Sequence, residues 1–295
     1  MKLLLKKSTG LKAKIIENGK FNIRLFKGQL MDPFLKIMPK IGKGLQTAKK
    51  GYKRELKNPA EVDKFASQEF WDDIIENAKS LGIDLIGFAP VDENLIFEKD
   101  QTTNIKSLYE NAIVLGMEMS YDAIETAPEA PAGLEALNIY AELGIATNYL
   151  ADFIRSKGYG AIACHPLGGP ILYPAMAVKA NMGEIGKQGL LITKKFGPRQ
   201  RLSMIATNAS PLPEIKTEDY KISEYCDKCG TCISMCPVNA ILEEPTIHEN
   251  GTISRIDCDK CFDYFYENVG CSICIKVCPF HKVGYDKLFK LKFYS

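Results

Sequence analysis

The apolar positions between residues 60 and 215 follow two periods, one helical and one extended. A helix is predicted where four apolar residues recur at a spacing near 3.6, and Gly82 follows as a C′ residue that would end it: Phe70, Ile74, Ala78 and Leu81. The same period predicts a longer helix over about 134–157, which Gly158 would terminate.

Short runs that are apolar throughout predict strands buried on both faces. These runs are IDLIGFAPV (83–91), AIVLGMEM (112–119), GYGAIAC (158–164), GLLIT (189–193) and RLSMIAT (201–207). Helices that alternate with short apolar strands indicate a layered α/β or α+β domain over roughly 60–215. The chain is therefore divided into a basic N-terminal extension (1–60), an α/β domain (61–215), a cysteine-rich domain (216–285) and a C-terminal tail (286–295).

The charge is distributed unevenly along the chain. The net charge is +2, but residues 1–57 hold 16 Lys and Arg against three acids, which leaves 22 basic and 33 acidic residues in the remainder. Pro33 and Pro39 are expected to break the pattern of the basic segment. We expect this segment to lie across the acidic remainder of its own chain; alternatively it binds an acidic protein or an anionic membrane surface, with nucleic acid less favoured.

The N-terminal sequence MKLLLKK is too short for the apolar region of a signal peptide. No apolar run approaches the ~20 residues that span a bilayer. We therefore expect a cytoplasmic protein, in contact with a membrane at most at its surface.

Nine of the ten cysteines lie between residues 226 and 278. The first four stand at C-x2-C-x2-C-x3-C before Pro237, the spacing of bacterial two-cluster ferredoxins, in which the fourth cysteine ligates the other cluster. The predicted ligands of the first 4Fe-4S cluster are Cys226, Cys229, Cys232 and Cys278. Those of the second are Cys236, Cys271, Cys274 and one upstream cysteine.

Two cysteines compete for that last place, Cys258 and Cys261. We favour Cys261, because the aromatic run FDYFY that follows it can shield a cluster from water; Cys258 is the alternative. Structural zinc would use two C-x2-C pairs without the x3-C-P ending, and disulfides would need an oxidising compartment. The tenth cysteine, Cys164, is expected to be a buried core thiol.

The glycine- and proline-rich stretch 164–187 predicts a shaped loop with a short helix from about Pro174. If this loop is a site, His165 or Tyr173 could donate a proton to a reduced substrate. Further candidates for holding a cofactor or an anionic substrate are Gly183, Lys187, Arg199 and Arg201, with structural or surface roles as the alternative. The remaining histidines, His248 and His281, are expected at the surface.

Together, the run NMGEIGKQGLLIT, the turn FGPRQRL, the segment TNASPL and the two cysteine blocks resemble the corrinoid-dependent reductases, namely the reductive dehalogenases and epoxyqueuosine reductases. The phrase KCFDYFYENVGCSICIKVCPF is similar to the dehalogenase form of the second block, which supports Cys261 over Cys258. HPLGGP lacks the acid of the epoxyqueuosine reductase pattern, and Asn208 replaces the Asp of the T-D-x-P-L motif. The resemblance therefore names no substrate.

The resemblance implies an α+β architecture, a nitroreductase-like α/β domain followed by a ferredoxin-like domain with two 4Fe-4S clusters. It also implies a bound cobalamin that receives low-potential electrons from the clusters, and an electron donor of the ferredoxin or flavodoxin type in an anaerobic cell. A protein that passes electrons to a partner's corrinoid or metal centre is the alternative, and a flavin in place of cobalamin is a weaker one.

Overall fold

The structure is a computed structural model of the 295-residue chain, and it describes residues 31–60, 64–97, 109–214, 217–248, 253–268 and 270–290. Residues 1–30 of the basic segment lie outside the described residues. The helices of the N-terminal part are α1 Met31–Lys57, α2 Gln68–Ser80, α3 Tyr121–Glu125, α4 Ala130–Ser156 and α5 Tyr173–Lys179. The strands are β1 Lys64–Phe65, β2 Leu85–Pro90, β3 Asn111–Glu118, β4 Ala161–Cys164, β5 Glu184–Ile185, β6 Leu191–Ile192, β7 Gln200–Thr207 and β8 Ala209–Ser210.

A four-stranded antiparallel sheet with strand order β2-β3-β7-β4 forms the centre of this part. Its residues alternate between two buried faces, so that Ile113 and Leu115 pack with the cluster that contains α2 and α4, whereas Val114 packs with the cluster that contains α5. The sheet is thus covered on both sides, which explains why its strands are mainly apolar. The mixed α/β architecture predicted from the sequence is confirmed.

Helix α1 packs against α4 and β4, and its buried side includes Phe34, Ile37 and Ile41. The sequence predicts a break at Pro39 and an extension over 1–60, but the helix continues through Pro39, which is exposed. An interior proline costs about 3 kcal/mol, whereas burial of each large apolar side chain contributes roughly 1.5–3 kcal/mol. Burial of the apolar stripe therefore outweighs the cost of the proline, and residues 31–57 pack with the α/β domain.

The C-terminal part consists of short elements around the cysteines. They are α6 Ile222–Cys229, α7 Thr231–Ser234, β9 Ile241–Ile247, β10 Ile253–Ile256, α8 Cys258–Glu267, α9 Ile273–Lys276, α10 Pro279–Lys282 and α11 Tyr285–Lys290. Helix α11 lies partly in the segment predicted as a tail, but Leu288 is buried in a cluster with Phe280 and Ile192 of the α/β domain. None of the helices in the described parts of the chain is sufficiently long and apolar to cross a bilayer.

Candidate metal centre

The first predicted ligand set surrounds one cavity. Cys226 and Cys229 lie on α6, which ends at Gly230, and the left-handed φ of 62° at this glycine turns the chain into α7 with Cys232. Cys278 comes from the N-cap of α10, about fifty residues later in the sequence. All four cysteines line one cavity that is partly open to solvent.

The other walls of this cavity come from both parts of the molecule. Aromatic residues of the C-terminal part, Tyr225 and Phe280, pack with ring centroids 5.1 Å apart. Lys187 and Gln188, from the turn between β5 and β6, close the side that faces the α/β domain. The first cavity therefore lies where the two parts meet.

The thiols of this set are in a protein environment that favours the protonated form. Burial, with a smaller contribution from the neighbouring thiol of Cys232, raises the pKa of Cys278 to about 12 and that of Cys226 to about 11. Such thiols become thiolates when they bind iron, because the positive metal replaces the proton. The soft, enclosed sulfur donors fit an iron–sulfur cluster.

The second predicted set is assembled from α8, which carries Cys261, from α9 and the loop before it, and from the turn that follows α7. Burial raises the pKa of Cys274, and the thiols of Cys271, Cys261, Cys232 and Cys236 raise it further. Burial likewise raises the pKa of Cys271, with a contribution from Cys236. The structure thus brings these four thiols together: Cys236, Cys261, Cys271 and Cys274. The thiol of Cys232, which belongs to the first set, also raises the pKa of Cys274, so the two sets are neighbours.

Helix α8 positions both candidates for the last ligand. Asp257 caps the helix by accepting hydrogen bonds from two backbone N–H groups, and Cys258 is its first residue. Burial raises the pKa of Cys261 to about 11, and the thiols of Cys271 and Cys236 contribute before that of Cys258. The Cys258 thiol contacts the carbonyl of Ile256 at 3.8 Å. This geometry favours Cys261, and the assignment itself remains a prediction.

No three His, Cys, Asp or Glu side chains within the described ranges are close enough to share a single metal ion. A cubane does not require such convergence, because each of its four thiolates binds a different iron atom.

A buried polar network joins the cysteine-rich part to the sheet next to Cys278. The imidazole of His281 is fully buried; its Nδ1 accepts a hydrogen bond from Arg199 Nη1 at 3.1 Å, and its Nε2 donates to Glu125 at 2.7 Å. Arg199 also donates to the carbonyl of Met119 and pairs with Glu118. The prediction that His281 lies at the surface is wrong, because its partners come from distant parts of the chain; His248 is exposed as predicted.

The two predicted proton donors are buried. Tyr173 begins α5, is 6% exposed and donates its hydroxyl hydrogen to the carbonyl of His165 at 2.9 Å. The His165 ring is 3% exposed and packs between Gly44 of α1 and Gly144 of α4, while its Nδ1 accepts from the backbone N–H of Leu167 at 3.1 Å. A Cβ on Gly144 would overlap this ring. Cys164 is a buried thiol, as predicted.

The predicted cofactor-binding residues lie in different surroundings. The guanidinium of Arg199 is engaged in the His281 network, and that of Arg201 lies 4.9 Å from the ring centroid of Tyr140. The backbone of Gly183 lies against the Ile192 carbonyl, and a Cβ at residue 183 would collide with its oxygen. Lys187 lines the cysteine cavity instead of a separate cofactor pocket.

Comparison with known proteins agrees with this geometry. The family described as "4Fe-4S double cluster binding domain" matches residues 225–281. The tetrachloroethene reductive dehalogenase of Sulfurospirillum multivorans is 34% identical over 201 residues, which cover 65% of this chain and 39% of the dehalogenase. The epoxyqueuosine reductase of Atelocyanobacterium thalassa is 30% identical over 128 residues, which cover 40% of each chain.

These similarities support a relationship of the chain to the iron–sulfur reductases that include these two enzymes. Among solved structures, the catabolic reductive dehalogenase NpRdhA shares the fold with a TM-score of 0.74 at 19% identity, over 95% of this chain and 40% of that one. The epoxyqueuosine reductase from Streptococcus thermophilus gives a TM-score of 0.53 at 20% identity, over 73% of this chain and 67% of that one. The match of residues 225–281 to the double-cluster domain supports two 4Fe-4S clusters in this chain.

The alignments cover about 37–50% of the length of the curated dehalogenases that match the chain. The activity, substrate and partners of this chain are therefore treated below as proposals. Sequence reasoning missed Gln188 as a lining residue of the cavity, although it directly follows the predicted Lys187.

Proposed function

We propose that this chain is an electron relay that passes low-potential electrons through two 4Fe-4S clusters to a corrinoid. The observation that carries this proposal is the adjacency of the two thiol sets, since α7, which carries Cys232 of one set, contacts α9, which carries Cys274 of the other. When bound, the clusters supply reversible one-electron transfer at potentials set by hydrogen bonds, charge and burial.

The protein contributes ligands, enclosure and position. Cys226, Cys229, Cys232 and Cys278 would hold the first cluster at the boundary with the α/β domain. Cys236, Cys261, Cys271 and Cys274 would hold the second. Phe280 and Tyr225 restrict access of water to the first, and the His281 network fixes the helix that follows Cys278 against the sheet.

A corrinoid is the proposed acceptor because a related solved dehalogenase is described as B12-dependent. The residues predicted to face it in this chain do not fit that role: His165 and Tyr173 are buried against their own neighbours, and Arg199 is engaged with His281. We therefore favour a corrinoid held by another protein, and we derive no step of its chemistry here.

A second candidate is a reductase in which this chain itself holds the corrinoid. The observation that favours it is the 34% identity with a tetrachloroethene reductive dehalogenase. In that case the buried loop of His165 and Tyr173 would have to open when cobalamin binds.

Cobalt analysis separates the two candidates. The tagged chain is purified anaerobically from a cobalamin-replete host, split in two, and one half is washed at high salt to remove bound proteins. For a relay, cobalt is removed together with a stoichiometric corrinoid protein while iron stays. Cobalt that stays at about one per chain after the wash supports the second candidate, and a yellow chromophore released by acid would instead identify a flavin. Iron-replete preparations with no cobalt before or after the wash, and no corrinoid protein bound, would contradict both.

A further inference from the structure

The turn between β5 and β6 contains a buried side-chain amide whose nitrogen donates no hydrogen bond to any described residue. Gln188 is 1% exposed, and its Nε2 has no hydrogen-bond partner among the described residues. Leaving a buried donor unsatisfied costs about 1–3 kcal/mol. Such a group in a native structure calls for an explanation, and a group bound at the site is one.

The amide is located beside the first cysteine cavity. Gln188 lines this cavity together with all four cysteines of the first set. Its Oε1 lies over Gly186, so close that a Cβ at residue 186 would collide with it. Gly186 therefore provides the space that the amide occupies.

The neighbouring Lys187 acts on the same set of sulfur atoms. Its backbone N–H donates a hydrogen bond to the Cys226 thiol, and Lys187 lines the same cavity as Gln188. The turn thus already directs one N–H group and one positive charge toward this cavity. Cluster sulfurs accept hydrogen bonds, and the acceptor strength grows with the negative charge of the cluster.

We infer that Gln188 donates its side-chain N–H to a sulfur atom of the first cluster and thereby raises the reduction potential of that cluster. A hydrogen bond to sulfur stabilises the more negative, reduced state more than the oxidised one, so the potential rises. Because Gln188 belongs to the α/β domain, the potential of this cluster depends on that domain. The inference rests on the first ligand set of the proposed function.

The test is an EPR-monitored redox titration of the full-length chain and its Gln188→Leu variant. Leucine removes the N–H donor and puts an apolar group of similar size in place of the amide. We expect the Gln188→Leu variant to retain its iron. One of its two midpoint potentials should shift to a more negative value, and the other should stay unchanged. Gly186→Ala should shift the same midpoint in the same direction, because the new Cβ displaces the amide.

Gln200→Leu is the matched control. Gln200 is also a buried glutamine, but its amide nitrogen donates to the carbonyl of Leu191 at 2.8 Å, and it is not among the residues that line the cavity. This variant should lose stability without moving either midpoint.

A second readout uses the unmodified protein labelled with glutamine that carries nitrogen-15 in the side-chain amide. Pulsed EPR of the reduced protein should detect a nitrogen-15 coupling to one cluster. Unchanged midpoints in Gln188→Leu with full iron content, or no such coupling in the unmodified protein, would overturn the inference while leaving the two clusters intact. A chain that never shows cluster signals would instead contradict the proposed function.

Discussion

Replacement of Glu125 by alanine tests how the cysteine-rich part is attached to the sheet. The Glu125 carboxylate accepts a hydrogen bond from His281 Nε2 at 2.7 Å and pairs with Lys282. Arg199 has N–H donors and no acceptor, so Nδ1 of His281 must accept from it and Nε2 must carry the hydrogen. Burial lowers the pKa of His281, in agreement with this neutral ring.

The expected cost follows from the exposure of the two contacts. The His281 side chain is 0% exposed, so Glu125→Ala leaves a buried donor without its acceptor, at about 1–3 kcal/mol. The Lys282 side chain is 38% exposed, and such a pair contributes less than about 1 kcal/mol. The sum is roughly 1–4 kcal/mol, which corresponds to a fall in thermal midpoint on the order of 5 °C.

The assay is the thermal midpoint of cluster absorbance loss under anaerobic conditions at one fixed scan rate, because cluster loss makes unfolding irreversible. Glu125→Gln is the control, since its amide oxygen can still accept from His281 and only the exposed ion pair is lost. We expect this control to recover most of the midpoint. A midpoint for Glu125→Ala equal to that of the unmodified protein, or equal losses in both variants, would refute the assignment of a buried hydrogen bond.

Three further predictions concern the ligands and helix α1. Cys261→Ser should lose about four of about eight iron atoms, whereas Cys258→Ser should keep them all. Iron and sulfide analysis measures the difference, and the reverse result would make Cys258 the ligand. Ile41→Ala should lower stability by about 2–5 kcal/mol, because Ile41 is 2% exposed, while Leu35→Ala on the exposed side should have little effect. Equal effects in thermal scans would show that α1 does not pack on the domain through this face. Gly42→Ala should raise stability by about 0.5–1 kcal/mol, since no atom lies within 4 Å of the added Cβ; a lower midpoint would indicate a contact on that side.

The sequence was most informative where local pattern and environment agree. The strands β3 and β7 were predicted because a sheet covered on both faces requires continuous apolar runs. The grouping of the cysteines could be predicted because the spacing of a cluster motif is set by the geometry of ligand binding.

The remaining features depend on contacts that local sequence does not carry. The break expected at Pro39 was wrong because the cost of a proline is local, whereas the burial of Ile41 depends on α4. His281 was misplaced because Arg199 and Glu125 are 82 and 156 residues away. The burial of His165 and Tyr173 could not be predicted from the local sequence, because this loop lies against the distant helices α1 and α4.

The most direct test of the account is EPR spectroscopy of the fully reduced, anaerobically purified chain, with iron and sulfide determined on the same sample. We predict about eight iron and eight sulfide per chain and a spectrum broadened by magnetic interaction between two neighbouring 4Fe-4S clusters. About four iron per chain, or two clusters without interaction, would contradict the adjacency of the two thiol sets on which the proposed relay depends.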